Sequence, residues 1–147
     1  MWFEITNLLI RGLNDSDAEV DALTGWVVEE LGPDVPIHLT AFHPDFKLAD
    51  RPPTPASTLT RARRIAVGNG VRFAYTGNVH DPAGSSTWCP ACGTCVVERD
   101  WYELGECRLT DDGRCAACGS RIPGRFDGPP GGWGRRRTPV RLGSRRP

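Results

Sequence analysis

The pattern of apolar and polar positions in the first 77 residues predicts three strands separated by two helices. Residues 2–10 are almost continuously apolar, which is typical of a parallel strand that is covered on both faces. Residues 35–42 predict a second strand, with Ile37, Leu39 and Ala41 on one face. A third strand is predicted over residues 71–76, and it closes at Gly77.

Both predicted helices have recognisable ends. The first begins after Ser16, which opens a capping box, and it ends before Pro33, because proline cannot continue the hydrogen-bond ladder. The second is predicted to have Thr54 as its N-cap and Pro55 as its first helical residue, and to stop at Gly70. Apolar residues at helical intervals predict the buried sides of the two helices: Val20, Leu23, Val27 and Leu31 in the first, and Leu59, Ala62, Ile65 and Ala66 in the second.

The order strand, helix, strand, helix, strand predicts an α/β fold with parallel strands joined by right-handed crossovers. Three strands cannot close a barrel, and an uncovered edge strand is a liability for a protein. We therefore expect this chain to be the C-terminal part of something larger. Either an N-terminal part is missing, or a partner supplies it.

The composition changes after the third strand. Residues 78–88 are predicted to be a linker, and a cysteine-rich module occupies about residues 88–120. Residues 127–147 contain five glycines, four prolines and six arginines, a composition that predicts a disordered tail. The predicted divisions are 1–80 for the α/β part, 81–126 for the cysteine module and 127–147 for the tail.

Charge and hydropathy narrow the class of protein. The tail has a net charge of +5 and residues 1–126 a net charge of −5, so the folded part lacks the basic footprint of a nucleic-acid-binding protein. No apolar run reaches the roughly 20 residues that cross a bilayer, and no signal peptide is recognisable. A cytoplasmic location is therefore expected. In that compartment six cysteines predict metal binding rather than disulfides.

Four of the cysteines form a repeated motif. The sequence C-x-x-C-G occurs at Cys89 and Cys92 and again at Cys115 and Cys118, with 22 residues between the two halves. Each turn directs two sulfurs at one ion, and the glycine permits a positive φ that frees backbone N–H groups for the thiolates. Four thiolates close a tetrahedral shell, so the motif predicts a structural zinc ribbon. Iron in a rubredoxin-like site is the alternative, and zinc is favoured because the module offers few aromatic residues to shield iron.

The two remaining cysteines, Cys95 and Cys107, belong to neither half of the motif. They are predicted to be small buried or half-buried hydrophobic residues. The residues between the two halves, including 96–99 and the Trp101-Tyr102 pair, are predicted to form a hairpin.

Several motifs together resemble the C-terminal region of the AmmeMemoRadiSam-system radical SAM enzymes, which are relatives of the pyruvate formate-lyase activating enzymes. The resemblance covers about residues 1–126. It rests on WFEITNLLI at 2–10, GLND at 12–15, IHLTAFHPDF at 37–46, RPPTP at 51–55, GNV at 77–79, IPG at 122–124 and the four-cysteine ribbon.

The resemblance implies that residues 1–80 are the last three strands of a partial (β/α) barrel. In that family an N-terminal C-x₃-C-x₂-C loop holds a [4Fe–4S] cluster, and S-adenosylmethionine (SAM) lies across the C-terminal ends of the strands, where it yields a 5′-deoxyadenosyl radical. His43 matches a position that contacts the methionyl part of SAM, and Thr6 and Asn7 are expected to face the same pocket. A loop histidine bonded to Asp45 is the equally weighted alternative for His43. His38, in mid-strand, is expected to be a core histidine.

The chain also departs from the family, because all six cysteines lie at or after position 89 and no C-x₃-C-x₂-C motif precedes them. Without it this chain cannot hold the cluster. We therefore assign no catalytic residue to it, and expect an inactive fragment or split half that needs an N-terminal radical SAM half as its partner. The substrate is not readable. The alternatives are a zinc-ribbon module that binds protein or nucleic acid without catalysis, and a rubredoxin-like electron carrier.

Overall fold

The computed structural model of the chain describes residues 2–126 and has a mixed α/β fold. The predicted order of strands and helices in the first part is confirmed: β1 Ile5–Leu9, α1 Asp17–Trp26, a π-helical turn Val27–Leu31, β2 Ile37–Ala41, α2 Ala56–Gly68 and β3 Ala74–Gly77. The cysteine-rich part follows, with a short helix α3 Pro82–Ser85 and the strands β4 Thr87–Trp88, β5 Cys95–Asp100 and β6 Glu103–Cys107. The predicted tail, 127–147, lies outside the described residues.

The first sheet has three parallel strands in the order β1-β2-β3. Its register aligns Ile5 with Ile37 and Ile37 with Ala74. Because side chains alternate along a strand, this row and the rows two residues further on share one face of the sheet. That face packs against the helices in one apolar core, whose buried members are Leu9, Val20, Ile37, Leu39, Ala62, Ala66, Val71 and Ala74.

The opposite face of this sheet is largely open at β1. Leu8, which lies on it, has an exposed fraction of 43%. The prediction that the first strand is covered on both faces is therefore wrong for the residues that the structure describes. Its continuous apolar character reflects a surface that residues 2–126 leave uncovered.

The helix ends match the sequence prediction in two places. The Ser16 side chain accepts a hydrogen bond from the backbone N–H of Glu19 at 3.3 Å, which completes the predicted N-cap of α1. At the end of α2, Gly70 has a φ of +98°, and the N–H groups of Gly70 and Val71 donate to Val67 and Ala66. This pair of hydrogen bonds is the Schellman arrangement that a glycine at this position favours.

The predicted N-cap at Thr54 is wrong. Pro55 itself occupies the cap position of α2, and no side chain caps that end. The Thr54 hydroxyl instead donates to the backbone oxygen of Leu9 at 2.6 Å, and its backbone N–H donates to Phe42 at 2.9 Å. Thr54 is buried, so these bonds satisfy its polar groups and fix the loop against β1 and β2.

The π-helical turn also changes one prediction. Leu31 was expected to extend the buried stripe of the first helix, but it is 38% exposed. The N–H of Gly32 donates to Val27 five residues earlier, so the turn contains one more residue than an α-helical turn. The extra residue shifts the side chains that follow it around the helix axis, so Leu31 no longer faces the core.

The predicted linker is an ordered segment. Asp81 caps α3 by accepting a hydrogen bond from Gly84 N–H at 2.9 Å, and its other carboxylate oxygen accepts one from the Thr76 hydroxyl at 3.0 Å. A Cβ on Gly84 would come within 2.3 Å of both side chains, so only glycine fits there. The close approach explains why a sequence that resembles a flexible connection is packed against β3.

The second sheet, in the order β4-β5-β6, is antiparallel and carries the cysteine-rich module. The predicted hairpin is confirmed, since β5 and β6 are joined by Trp101 and Tyr102. Its core contains Val96 and Ile122 together with Phe73, which directly precedes β3. The module and the first sheet therefore share a core. None of the helices in residues 2–126 is both long enough and apolar enough to cross a membrane.

Candidate metal centre

Two turns of the same construction position the four predicted cysteines. The first lies between β4 and β5, and the second follows β6. In each, the N–H of the glycine after the second cysteine donates to the oxygen of the first cysteine at 2.8 Å. These glycines, Gly93 and Gly119, have φ values of +72° and +76°, which confirms the predicted positive φ. Each C-x-x-C-G segment thus folds locally into a tight turn that directs both sulfurs the same way.

The four sulfur atoms converge on one point, lying within 4.8 Å of one another. The Sγ atoms of Cys89 and Cys118 are 3.7 Å apart, as are those of Cys92 and Cys115. A tetrahedral ion with metal–sulfur bonds of about 2.3 Å requires sulfurs about 3.8 Å apart. A disulfide needs about 2.05 Å, so the spacing fits a metal and not a disulfide. The cysteine prediction is confirmed as a site that can hold a metal such as zinc.

The cysteines differ in burial and in acidity. Cys89 and Cys115 are buried, whereas Cys92 and Cys118 are exposed. Burial raises the pKa of the Cys89 thiol to about 11. Hydrogen bonds from the Thr94 side chain and backbone lower the pKa of Cys92 to about 6, and equivalent bonds from Ser120 lower the pKa of Cys118. Cys92 and Cys118 therefore become thiolates more readily than Cys89, and a cation is needed to compensate the charge of a buried thiolate.

The hydroxyl residues Thr94 and Ser120 are part of this site and were missed in the sequence. The Thr94 hydroxyl lies 3.3 Å from Cys92 Sγ. The backbone oxygens of Thr94 and Ser120 accept from the N–H groups of Cys89 and Cys115 at 2.8 and 2.9 Å, closing the two turns. The motif is better written C-x-x-C-G-[ST]. A hydroxyl residue directly follows the glycine in both halves, and this repetition could have indicated that it belongs to the site.

Cys95 and Cys107 are free and stay outside the cluster. Cys95 is half-buried, as predicted, but Cys107 is exposed. It pairs with Val97 across the β5–β6 hairpin, where a register shift interrupts the ladder. The edge position of β6 in the second sheet leaves its side chains in solvent.

The three predicted cofactor-binding residues are not brought together. His43 is exposed, two residues beyond the end of β2. Thr6 is exposed and pairs with His38, whereas the half-buried Asn7 lies on the helix-covered face. Consecutive residues of one strand point to opposite faces, so Thr6 and Asn7 do not line a common pocket.

The structure reveals a polar cluster on the open face of the first sheet that the sequence did not indicate. His38 Nε2 lies 2.7 Å from a carboxylate oxygen of Glu4, and the His38 ring stacks on Tyr75 with 5.1 Å between centroids. The His38 side chain is 36% exposed, so the prediction of a core histidine is wrong. It lies on the face of the sheet that the helices do not cover.

The fold and the cysteine geometry define a mixed α/β protein with four clustered cysteines that can hold a metal ion. Over 123 residues, or 83% of the chain, it is 39% identical to "Uncharacterized protein MJ0808" of the archaeon Methanocaldococcus jannaschii. The match spans only 37% of that relative, so this chain corresponds to little more than a third of it. No family model and no solved structure matches the chain.

Proposed function

We propose that this chain is the C-terminal part of a radical SAM enzyme of the AmmeMemoRadiSam type, with a zinc ion in its four-cysteine ribbon. The motifs at residues 2–15, 37–55, 77–79 and 122–124 provide the resemblance to that family. The relative in Methanocaldococcus jannaschii has almost two thirds of its length outside the match, which agrees with a larger whole.

The observation that carries this proposal is the one-sided cover of the first sheet. In a (β/α) barrel, helices cover the outer face of a parallel sheet and the inner face lines the interior. Here α1 and α2 cover one face, and the other carries Thr6, His38 and Tyr75 in one row. Within residues 2–126, β1 pairs only with β2, so its free edge can accept a further parallel strand.

The chain itself does not fit the iron–sulfur cluster. No cysteine precedes Cys89, and four of the six already share one tetrahedral site. The cluster and the electron it supplies are therefore assigned to the remainder of the enzyme. Within this chain, His43 and Thr6 are proposed to contact SAM, since both are exposed, Thr6 in β1 and His43 in the loop that follows β2. Asn7 is not retained, because it lies on the helix-covered face.

The zinc ion is assigned a structural role. Four cysteine ligands leave no open position for a substrate or a water molecule. Cys89 and Cys115 share the core of the module with Phe73, so a metal that fixes both turns also holds the module against the first sheet. We propose that this keeps the ribbon in place beside the barrel rather than providing catalysis.

The test combines metal content with complementation. The purified chain should contain one zinc per molecule, and anaerobic treatment with iron and sulfide should give no [4Fe–4S] absorption. The archaeal relative should carry a C-x₃-C-x₂-C motif outside the matched segment and should cleave SAM reductively once reconstituted. A relative without that motif, or a cluster spectrum from this chain alone, would contradict the proposal.

The role of His43 is tested in the reconstituted assembly of this chain with the remainder of the relative. His43→Ala should weaken SAM binding and lower the yield of 5′-deoxyadenosine. His80→Ala is the matched control, because His80 is also an exposed loop histidine and pairs instead with Asp100 in the module. Equal effects of the two substitutions would remove His43 from the SAM site.

A further inference from the structure

A cleft of about 350 Å³ opens between the first sheet and the β5–β6 hairpin. Glu4, His38 and Tyr75 form its floor, and Arg99 and Trp101 reach over it from the hairpin. His38 and Tyr75 are the second residues of their strands, so the cleft lies towards the N-terminal half of the sheet. His43 lies beyond the opposite end, and the four cysteines are in the turns of the module.

Arg99 lines this cleft, and only part of its guanidinium group is held by neighbouring residues. Its Nη1 donates to the Thr87 hydroxyl at 2.6 Å and to the Ser85 backbone oxygen at 3.4 Å, and its guanidinium lies over the Tyr75 ring. Both hydrogen bonds use Nη1, so Thr87 and Ser85 do not engage the Nε and Nη2 groups on the other edge of the guanidinium. A planar guanidinium anchored on one side and open on the other is well suited to bind a carboxylate through two parallel hydrogen bonds.

Glu4 supplies the opposite charge. One of its oxygens accepts from Trp2 Nε1 at 3.0 Å and the other from His38 Nε2 at 2.7 Å. Its side chain remains 46% exposed, and a carboxylate oxygen with one hydrogen bond has the capacity to accept another. Partial burial opposes ionisation, but the hydrogen bonds and the charges of His38 and Arg99 outweigh it and lower the pKa of Glu4. The cleft therefore holds a carboxylate and a guanidinium together.

Trp101 adds an apolar surface in a backbone conformation that does not favour tryptophan. It is the first residue of the two-residue loop between β5 and β6, and its φ is +55°. Glycine or asparagine is preferred there, because a side chain with positive φ is strained. The Trp101 side chain nevertheless lines the cleft and remains 47% exposed. Strain of this kind is concentrated at binding sites, where the position of a side chain matters more than local stability.

We propose that this cleft binds a zwitterionic α-amino acid with an apolar side chain. Its carboxylate binds the Arg99 guanidinium, its ammonium group binds Glu4, and its side chain packs against Trp101. A simple carboxylate would use only the Arg99 guanidinium and a simple amine only the Glu4 carboxylate, whereas a zwitterion uses both groups of the cleft. The inference stands independently of the radical SAM proposal, since it uses only residues of this chain.

The test uses the full zinc-loaded chain, labelled with ¹⁵N, and L-phenylalanine as the probe. The Trp101 indole N–H and Arg99 Nε–H signals should shift and saturate with a dissociation constant on the order of 1 mM. N-acetyl-L-phenylalanine lacks the ammonium group and L-phenylalaninamide lacks the carboxylate, so each should bind at least about tenfold more weakly. A probe that produces no saturable shift, or two analogues that bind as well as L-phenylalanine, would overturn the proposal.

Two substitutions separate binding from structure. Trp101→Gly removes the ring and relieves the positive φ, so thermal stability should hold or rise while affinity falls about tenfold. Tyr102→Ala is the control, because Tyr102 is 72% exposed and does not line the cleft, and it should leave affinity unchanged. Arg99→Gln also breaks the contacts to Thr87 and Ser85, so Trp101→Gly is the deciding variant. Unchanged affinity in Trp101→Gly would refute the proposed site.

Discussion

Replacing Phe73 by alanine should destabilise the first sheet with its helices α1 and α2, and the metal centre with it. Phe73 is 4% exposed, and its ring packs in one cluster with Cys89, Cys115 and Ile122. Its backbone oxygen accepts from Ile37 N–H at 2.9 Å, so the residue is also fixed to the first sheet. Phe73 thus joins the first sheet to the cysteine-rich module. Within residues 2–126, no other aromatic ring is fully buried between these two parts.

Removing a buried phenylalanine ring costs about 3–5 kcal/mol, which combines lost transfer free energy with the cavity that remains. A domain of this size has about 5–15 kcal/mol of total stability, so the variant should still fold. With a urea dependence of about 1.5 kcal/mol per molar, the unfolding midpoint should fall by about 2–3 M. Phe46→Ala is the matched control, because Phe46 is 88% exposed and its removal should change stability by less than about 0.5 kcal/mol.

Two signals report the two parts in one urea titration. Far-UV circular dichroism follows α1 and α2, and cobalt in place of zinc gives a thiolate absorption that follows the four cysteines. Both midpoints should move together in Phe73→Ala. If the cobalt signal kept its wild-type midpoint while the helices unfolded earlier, the shared core would not couple the two parts, and the reasoning would be refuted.

Three further predictions concern single groups. Cys115→Ser should lower zinc affinity by at least about tenfold and loosen the module, because a buried serine is a poor zinc ligand. The control is Cys107→Ser, at an exposed cysteine outside the cluster, which should still contain one zinc per chain in metal analysis. Glu4→Gln should lower the thermal midpoint at pH 7, because a carboxyl whose pKa is lowered in the fold stabilises the protein above its unfolded pKa of about 4.3. That contribution is lost as pH falls through the lower folded value, so the difference between Glu4→Gln and the wild type should narrow as the pH is lowered below about 4.3. A difference that does not narrow would assign the effect to packing. Thr54→Val should cost about 0.5–1.5 kcal/mol in urea unfolding, since the Leu9 oxygen loses its short hydroxyl donor and keeps only the 3.3 Å hydrogen bond from Phe42 N–H. Thr60→Val on the exposed side of α2 should cost less than about 0.5 kcal/mol, and equal costs would contradict the role of the Thr54 hydroxyl.

Features decided by neighbouring residues were predictable from the sequence. The order of the first five elements, the cap at Ser16, the turn at Gly70 and the four-cysteine set all depend on residues within about five positions of one another, or on an exact repeat of a motif. Periodicity and local hydrogen bonding therefore identified them.

Features decided by distant parts of the chain were not predictable. The Thr54 hydroxyl bonds to a residue 45 positions away, and a local capping rule gives no indication of this. Gly84 looks like part of a flexible connection until Thr76 and Asp81 are seen to leave no space for a side chain. His38 was predicted to be a core histidine because it lies in mid-strand, but its face of the sheet is the one that the helices leave open. Pairing across the sheet, rather than the strand's own composition, decides that placement.

The alternation of buried and exposed cysteines has a consequence for how the site exchanges its metal. Cys92 and Cys118 face solvent, while Cys89 and Cys115 are enclosed by the module. An incoming chelator can replace the two outer thiolates one after the other while the inner pair still holds the ion. Metal loss should then be a second-order process whose rate rises with chelator concentration, instead of levelling off at the rate of global unfolding. The folded chain would thus pass its metal to a competing thiol-rich acceptor without first coming apart.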